Sequence, residues 1–475
     1  MKQYVNEVFH SNRNIIFISI LLSCILAILN INGSSKKDVV TLFFATFLLI
    51  NDMYLAIKDS KKSILLFLVS LPILVTARKF LQIDFFVFKI SFESIYVTFL
   101  FVLNIKRVIF NIKHVFRCGS RNTFNFYILI LTFIIFVYNA NTYSVYFFKS
   151  MADTYIGVIV PIMFMLVSVS IFNKNDIKKI ILSLIFSVDL SCLYGFIQIF
   201  KDGISISNIN KNRAFLTFGY HNVNIFAGIL VTVIPFTLEY ILYKKNNKSE
   251  KIFLYSSFII EMFALLVTFT RGAWLTAIIA VFLILISKKY KKFLIAMVVL
   301  GAILFKPTMS FILTRGNTLI SFFQNESAIA RIQSIYTDIR IIKDYPFGVG
   351  MSSFPEFYKE FAVRGYLMMP EEFRWKITAA HYMLEHAHNL ILQIGVEFGI
   401  VALAIFILII INRIKATISK YEENRMFFVS FIVYIVFSTL TGNEFNHKGV
   451  ITGTLIIFLI MALIQVNNFE ACHKA

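Results

Sequence analysis

The sequence predicts an all-α protein, a polytopic bundle of about 12–14 transmembrane helices that carries one large water-facing loop. Three observations predict it. Of 475 residues, 58% are hydrophobic and only 15% charged, with a mean hydropathy of +0.77, an apolar share that an ordinary soluble domain does not have. The apolar runs reach the roughly 20 residues that cross a bilayer's hydrocarbon. Short clusters of Lys and Arg separate them, and the clusters occupy alternate connections, as the positive-inside rule requires of a chain threaded back and forth.

In chain order the helix-length runs lie at 15–31, 39–57, 64–81, 84–104, 124–142, 154–172, 178–200, 222–243, 252–270, 273–287, 292–306, 389–411, 425–441 and 449–466. Basic residues precede the first run, but no small-residue cleavage site follows Ile31. It therefore reads as a retained helix. Arg78, Lys79, Lys89 and Glu93 intrude on the third and fourth runs, which are either two spans or one re-entrant or interfacial hairpin. Both readings leave the later helices in the same orientation.

With a cytoplasmic N-terminus, the inner connections carry Lys58/Lys61/Lys62, Lys106/Arg107/Lys113/Arg117/Arg121, Lys174/Lys178/Lys179, Lys244/Lys245/Lys248/Lys251, Lys288/Lys289/Lys291/Lys292 and Arg413/Lys415/Lys420/Arg425. The short outer connections hold chiefly Lys36/Lys37, Lys149, Lys201, Lys211, Arg213, Arg271 and Lys448. Both termini are then expected in the cytoplasm of a multi-pass cell-membrane protein. The formal charge of +20 is spread over these clusters and forms no single basic face, so the partner it implies is the bilayer and not nucleic acid. Cys24, Cys118, Cys192 and Cys472 have no CxxC or metal-like spacing.

Four regions are expected: 1–209, N-terminal helices; 210–306, a transmembrane core; 307–388, a large extracytoplasmic loop; and 389–475, C-terminal helices. Within the loop, Ile329, Ile332, Ile335, Ile339 and Ile342 recur every three or four residues. That spacing predicts an amphipathic helix lying on the membrane or against the bundle. Asp344-Tyr345-Pro346-Phe347-Gly348-Val349-Gly350 follows, where one proline and two glycines force a turn.

The residues able to carry chemistry gather at the outer connections. Arg271, in Thr270-Arg271-Gly272, interrupts two apolar helices, where an arginine must snorkel, pair or bind an anion. Arg331 lies on the amphipathic loop helix, and Arg213 precedes the run that enters the membrane at 222. Guanidinium groups stay protonated and match phosphate oxygens with a planar fork of donors, so two or three converging on one cavity would bind a pyrophosphate. Read singly, Arg213 and Arg331 are better explained as solvated or surface-paired side chains. His388, in Glu385-His386-Ala387-His388-Asn389, begins another membrane helix, and an imidazole with an ordinary pKa near 6.5 suits a general base. His381, His386 and His388 lack HExxH or any fixed Cys/His spacing, so no metal is expected.

These segments resemble the O-antigen ligase and polymerase superfamily of bacterial envelope glycan enzymes. Thr270-Arg271-Gly272-Ala273-Trp274-Leu275 is similar to the family's S/T-R-G-A-W-L signature, the most specific of the matches. Phe218-Gly219-Tyr220-His221-Asn222-Val223-Asn224 looks like its segment at a helix start. Ala330-Arg331, the Asp344–Gly350 turn, and His388-Asn389 with Leu392-Gln393 and Glu397-Phe398-Gly399 look like its large outer loop and closing helix. The likeness spans about residues 210–465. Tyr220-His221 stands where the family often has Asn-Pro, and His386 is an additional histidine, although His388 is the one directly before the motif's Asn389.

The resemblance implies a glycosyltransferase of GT-C type that needs no metal or other cofactor and takes a polyprenyl-pyrophosphate-linked glycan as donor. By that resemblance Arg271 and Arg331, with Arg213, would hold the pyrophosphate. His388 would activate or orient the acceptor hydroxyl, with Asn224, Asn389 and Glu397 in support. The expected reaction is inverting polymerisation of a cell-surface polysaccharide. The alternatives are a ligase moving a finished glycan onto a lipid or protein acceptor, and a glycan flippase or other transporter. A transporter would commonly show internal repeats and interrupted helices at the midplane, whereas the polar candidates here collect at one face.

Overall fold

The computed structural model describes residues 13–29, 36–77, 84–85, 88–204, 209–213, 216–286, 288–303, 326–374, 383–442, 444–445 and 451–468. Ile31, Arg78, Lys79, residues 307–325, His381, Lys448 and Cys472 lie outside them.

The described chain is an all-α bundle. Its helices are α1 (Arg13–Leu29), α2 (Lys36–Lys58), α3 (Ser60–Ala77), α4 (Phe92–Cys118), α5 (Arg121–Ala140), α6 (Phe147–Thr154), α7 (Val160–Ile171), α8 (Ile177–Lys201), α9 (Val223–Tyr243), α10 (Lys248–Val267), α11 (Arg271–Leu285), α12 (Lys291–Ile303), α13 (Glu326–Asp344), α14 (Phe354–Met368), α15 (Leu390–Ile418), α16 (Tyr421–Thr441) and α17 (Thr452–Asn468). A π turn, Tyr155–Ile159, joins α6 to α7, and a two-residue antiparallel hairpin, Asp84–Phe85 with Phe88–Lys89, separates α3 from α4. Nine of the described helices are long and apolar enough to cross a membrane, α3 and α4 among them, and three more are shorter apolar helices. The third and fourth apolar runs are thus two full-length helices.

Helices are the form such a chain must take, because hydrocarbon offers the backbone no hydrogen-bond partners. The lipid-facing surface is accordingly apolar: Phe110, Ile259 and Ile135 are 72%, 68% and 58% exposed. The centre is formed by α9, whose Phe226 to Phe236 stretch is buried throughout, and by α17, packed on α7 and buried from Leu455 to Val466. Around them α16 lies against α9 and α11, and α15 against α5.

Long-range polar contacts sort the connections into two ends. At one, Lys61 binds Asp176 at 2.6 Å, Lys178 binds Glu250 at 2.7 Å and Arg425 binds Glu239 at 2.9 Å. At the other, Ser144 bonds Ser353 at 2.7 Å, Thr76 donates to the Gly219 carbonyl at 3.0 Å, and Arg213 donates to Thr270 at 3.2 Å. The first end carries the basic clusters and the second carries residues 326–374 and 383–389. This partition is the one that alternating helical traversals of the bundle demand. Six non-glycine residues among those described have positive φ, namely Phe218, His221, Phe269, Ser352, His388 and Phe445. All six lie at the loop end, so the costly backbone conformations are confined there.

The 326–374 segment folds as a helical pair, α13 on α14, seated on the start of α15. Its cores are small: Ile341, Phe354, Tyr358 and Phe361 meet Val396 of α15, and Ile329 meets Tyr366 and Met369. The expected amphipathic helix is α13, and its isoleucines divide between a packed and an exposed side, with Ile332 and Ile342 against the small cores. Ile329 is buried, but Ile335 and Ile339 are 41% and 48% exposed, and the buried side consists of Gln333, Ser334, Thr337, Asp338 and Ile341. The reason is close packing. A β-carbon on Gly365 of α14 would sit 2.0 Å from Thr337 Oγ1 and 2.8 Å from its Cα, so the interface accepts small polar side chains and rejects isoleucine. Gln333 then uses the gap to donate to the Ala362 carbonyl at 2.9 Å.

Candidate active site

Four separate segments at the loop end supply the site. Each is held by a side chain that satisfies backbone groups freed at a helix terminus.

The segment before α9 is pinned first. Gln198 on α8 accepts from the backbone N–H groups of Thr217 and Phe218 at 3.3 and 3.1 Å. Phe218 stacks on Phe226 at 4.3 Å between ring centroids, in space left by Gly195, where a β-carbon would lie 2.0 Å from the Phe218 ring. Asn222 caps α9, accepting from the N–H groups of Asn224 and Ile225 at 2.8 and 3.0 Å, an arrangement that contributes roughly 1 kcal/mol. Asn224 is thereby set to accept from the Arg213 guanidinium at 2.8 Å.

The Thr270-Arg271-Gly272-Ala273-Trp274 turn comes next. Phe269 has φ 48°, which reverses the chain between α10 and α11. Thr270 accepts from Arg213 at 3.2 Å and donates to Asn224 at 3.4 Å, closing a three-residue polar ring. The Trp274 indole N–H donates to the Leu265 carbonyl at 2.9 Å. A β-carbon on Gly272 would lie 2.9 Å from Thr441, so this glycine admits α16. Thr270, Gly272 and Trp274 of the signature thus have a packing or hydrogen-bonding reason, and Arg271 begins α11 at the loop end.

His388 sits on the third segment with φ 52°. The preceding Ala387 is clamped on both sides: its N–H donates to Gln393 at 2.7 Å and its carbonyl accepts from Ser334 at 3.3 Å. Ser334 Oγ also lies 2.8 Å from Asp338 Oδ2, and burial holds the Asp338 carboxyl well above the usual carboxylate range. Asn389 caps α15, accepting from the N–H groups of Ile391 and Leu392 at 3.0 and 3.1 Å. The His386 and His388 rings lie 4.0 Å apart.

The fourth segment is α13, which brings Arg331 one turn before Ser334. The electrostatics register the convergence. Burial, and then the charges of Arg331 and Arg271, pull the Arg213 guanidinium down to about 10. Burial, then His386 and Arg331, push the His388 imidazole down to about 2. Arg271 and Arg331 therefore lie close enough to act on Arg213, and Arg331 close enough to act on His388. Like charges so arranged are stabilised by an anion seated among them.

Glu397 is placed apart from that cluster. It is fully buried on α15, beside Gln393, the Ser352 backbone and Asp153, where it belongs to the junction of α15 with the Asp344–Gly350 turn. Gly399 (φ 86°) breaks α15. The broken ladder is made good by the turn: Val349 N–H donates to Val396, Gly350 N–H to Glu397, and Ile400 N–H to Pro346, at 2.8–2.9 Å. The turn is tied in addition to the N-terminal helices by Met351 N–H to Asn141 at 3.3 Å and by Ser352 to Asp153. Sequence reasoning did not single out Gln198, Ser334 or Asp338; their signal was a polar side chain inside an otherwise apolar or amphipathic helix.

No group of three or more His, Cys, Asp or Glu side chains with metal-holding geometry occurs among the described residues. No curated protein matches the chain. Residues 256–407, which include Arg271, Arg331 and His388, match the family model described as O-antigen ligase, a match that supports membership of the O-antigen ligase superfamily.

Proposed function

We propose that the protein is a polyprenyl-pyrophosphate-dependent glycan polymerase of cell-surface polysaccharide synthesis, working at the extracytoplasmic face of the cell membrane through a GT-C-type inverting mechanism. The single observation that carries this reading is the convergence of Arg213, Arg271 and Arg331 beside His388. Orientation follows from charge. The end opposite the cluster carries Lys58, Lys61, Lys174, Lys178, Lys244 and Lys245, and such clusters are retained in the cytoplasm.

In the proposed reaction the three guanidinium groups receive the donor's pyrophosphate, while the polyprenyl tail lies between helices in lipid and the glycan extends into water. The acceptor hydroxyl attacks the anomeric carbon from the face opposite the pyrophosphate, and His388 takes its proton. The bond from anomeric carbon to phosphate oxygen breaks, and polyprenyl pyrophosphate leaves with the electron pair. Charge that grows on the leaving oxygen meets guanidinium groups already in place, which lowers the barrier without reorganisation. Three cations supply the neutralisation for which other transferases recruit a divalent ion. Bound pyrophosphate also offsets the Arg331 charge that depresses His388, so the imidazole gains proton affinity when the donor is seated. Gln393, Ser334 and Asp338 position it.

A ligase reading is favoured by one observation, the description of the family model itself. Lipid-linked intermediates separate the two after gene deletion. Loss of a polymerase leaves single repeat units on the polyprenyl carrier, and loss of a ligase leaves long chains there. Long chains in the deletion strain would overturn the polymerase reading. Transport of lipid-linked glycan at the wild-type rate by a purified His388→Ala protein would overturn both.

A further inference from the structure

The basic end of the bundle holds a concave site that the transfer reaction does not use. Between α4 and α7 lies a cavity of about 900 Å³, lined by Lys106, Arg107, His114, Lys174, Phe110 and Ser170 among others, with no acidic residue in its wall. A recess of about 490 Å³ adjoins it at the α2–α3 turn, and Arg107 and Ser170 line both. Asn111 donates to Ser170 at 3.3 Å, bridging the two helices that form the cavity.

The charge here is uncompensated. Lys106, Arg107 and Lys174 are exposed and have no carboxylate within ion-pair distance among the described residues. The acids nearby are engaged elsewhere, Asp176 by Lys61 at 2.6 Å and Asp59 by Lys62 at 3.9 Å. This cluster surrounds a hollow large enough for a small-molecule group. Beside the hollow, α4 presents Val102, Ile109 and Phe110 to the lipid, 61%, 46% and 72% exposed. A cationic, hydrogen-bonding recess that opens onto an apolar helix face at headgroup depth matches a ligand with an anionic head and an acyl chain.

We infer that this cavity binds an anionic phospholipid of the bilayer, its phosphodiester held by Lys106, Arg107 and Lys174 and its chains along the exposed face of α4. The inference is independent of the reaction at the other end.

The test is native mass spectrometry of the full-length protein in detergent, titrated with phosphatidylglycerol or with phosphatidylcholine of the same chains. The wild type is expected to retain phosphatidylglycerol at least tenfold more tightly. The triple variant Lys106→Gln/Arg107→Gln/Lys174→Gln is expected to lose that preference, at about fivefold per cation. A control, Lys245→Gln/Lys291→Gln/Lys292→Gln, removes three exposed lysines outside the cavity and is expected to keep it. If the triple variant is not monodisperse, Arg107→Gln and Lys174→Gln alone carry the same expectation, each at about fivefold. Equal retention of the two lipids, equal loss in the control, or displacement of phosphatidylglycerol by millimolar inorganic phosphate would each overturn the proposal, the last by assigning the site to a free phosphate.

Discussion

Gly348 and Gly399 face each other with room for a β-carbon on neither: one added to Gly348 would lie 2.5 Å from the Glu397 carbonyl oxygen, and one added to Gly399 would lie 2.5 Å from the Phe347 carbonyl carbon. Both have positive φ, 87° and 86°. This reciprocal contact is what lets the loop turn replace the hydrogen bonds that α15 loses at its break, and it fixes the height at which the loop subdomain sits on the bundle.

Gly348→Ala and Gly399→Ala are each expected to destabilise the protein by at least about 2 kcal/mol, because the left-handed conformation alone costs an L-residue about 1–2 kcal/mol and the clash is with backbone that cannot step aside. Gly203→Ala provides the comparison. Its φ is 61° but nothing lies within 4 Å of the added carbon, so only the conformational cost applies. Thermal unfolding of the three variants in detergent, read against wild type, checks the ranking.

Arg271→Ala and Arg331→Ala are expected to reduce glycan transfer in membranes by about 100-fold or more, the scale for removing a preplaced charge from a transition state, without loss of expressed protein. Arg213→Ala removes in addition the donor that Asn224 and Thr270 accept from. It should therefore lower thermal stability as well as activity. Transfer from a defined polyprenyl-pyrophosphate glycan measures the first effect and thermal unfolding the second. Full activity in both Arg271→Ala and Arg331→Ala would remove the pyrophosphate clamp.

The imidazole of His388, pushed down to about 2 by burial, His386 and Arg331, is neutral across the physiological range in the donor-free protein. Because its folded pKa lies below the unfolded value near 6.5, the unfolded chain binds the extra proton between those limits. The contribution of this group to stability is therefore intact above about 6.5 and is lost as pH falls below it. Arg331→Gln is expected to raise the His388 pKa toward its ordinary value. Histidine C2–H exchange followed by mass spectrometry reads that shift, and an unchanged profile would separate Arg331 from His388.

Gln393→Leu leaves the buried Ala387 N–H without its acceptor, a loss of about 1–3 kcal/mol. Since that bond holds the segment on which His388 sits, kcat is expected to fall while donor binding, carried by the arginines, is retained. Equilibrium binding of the lipid-linked donor alongside the transfer rate distinguishes this outcome from general unfolding, in which both fall.

Much of this was legible in the chain. The apolar runs became helices, nine of those described long and apolar enough to cross a membrane, the basic clusters landed together at one end, and Thr270-Arg271-Gly272 marked a turn at the other. The buried face of α13 was not legible, because the isoleucine spacing describes what the helix could bury, while Gly365, on the next helix, dictates what fits beside Thr337. Nor was the break in α15, since a glycine within an apolar run looks like an ordinary small residue until its φ of 86° is seen.

The sequence by itself determined the all-α membrane architecture and the alternation of its connections, because hydropathy and charge act locally and a helix needs no distant partner to satisfy its backbone in lipid. Only the tertiary structure decided that Arg271 and Arg331 come within electrostatic reach of Arg213, and Arg331 of His388. They come from four segments spread over more than 170 residues, and what unites them is helix packing at the loop end, a long-range property that no local pattern encodes.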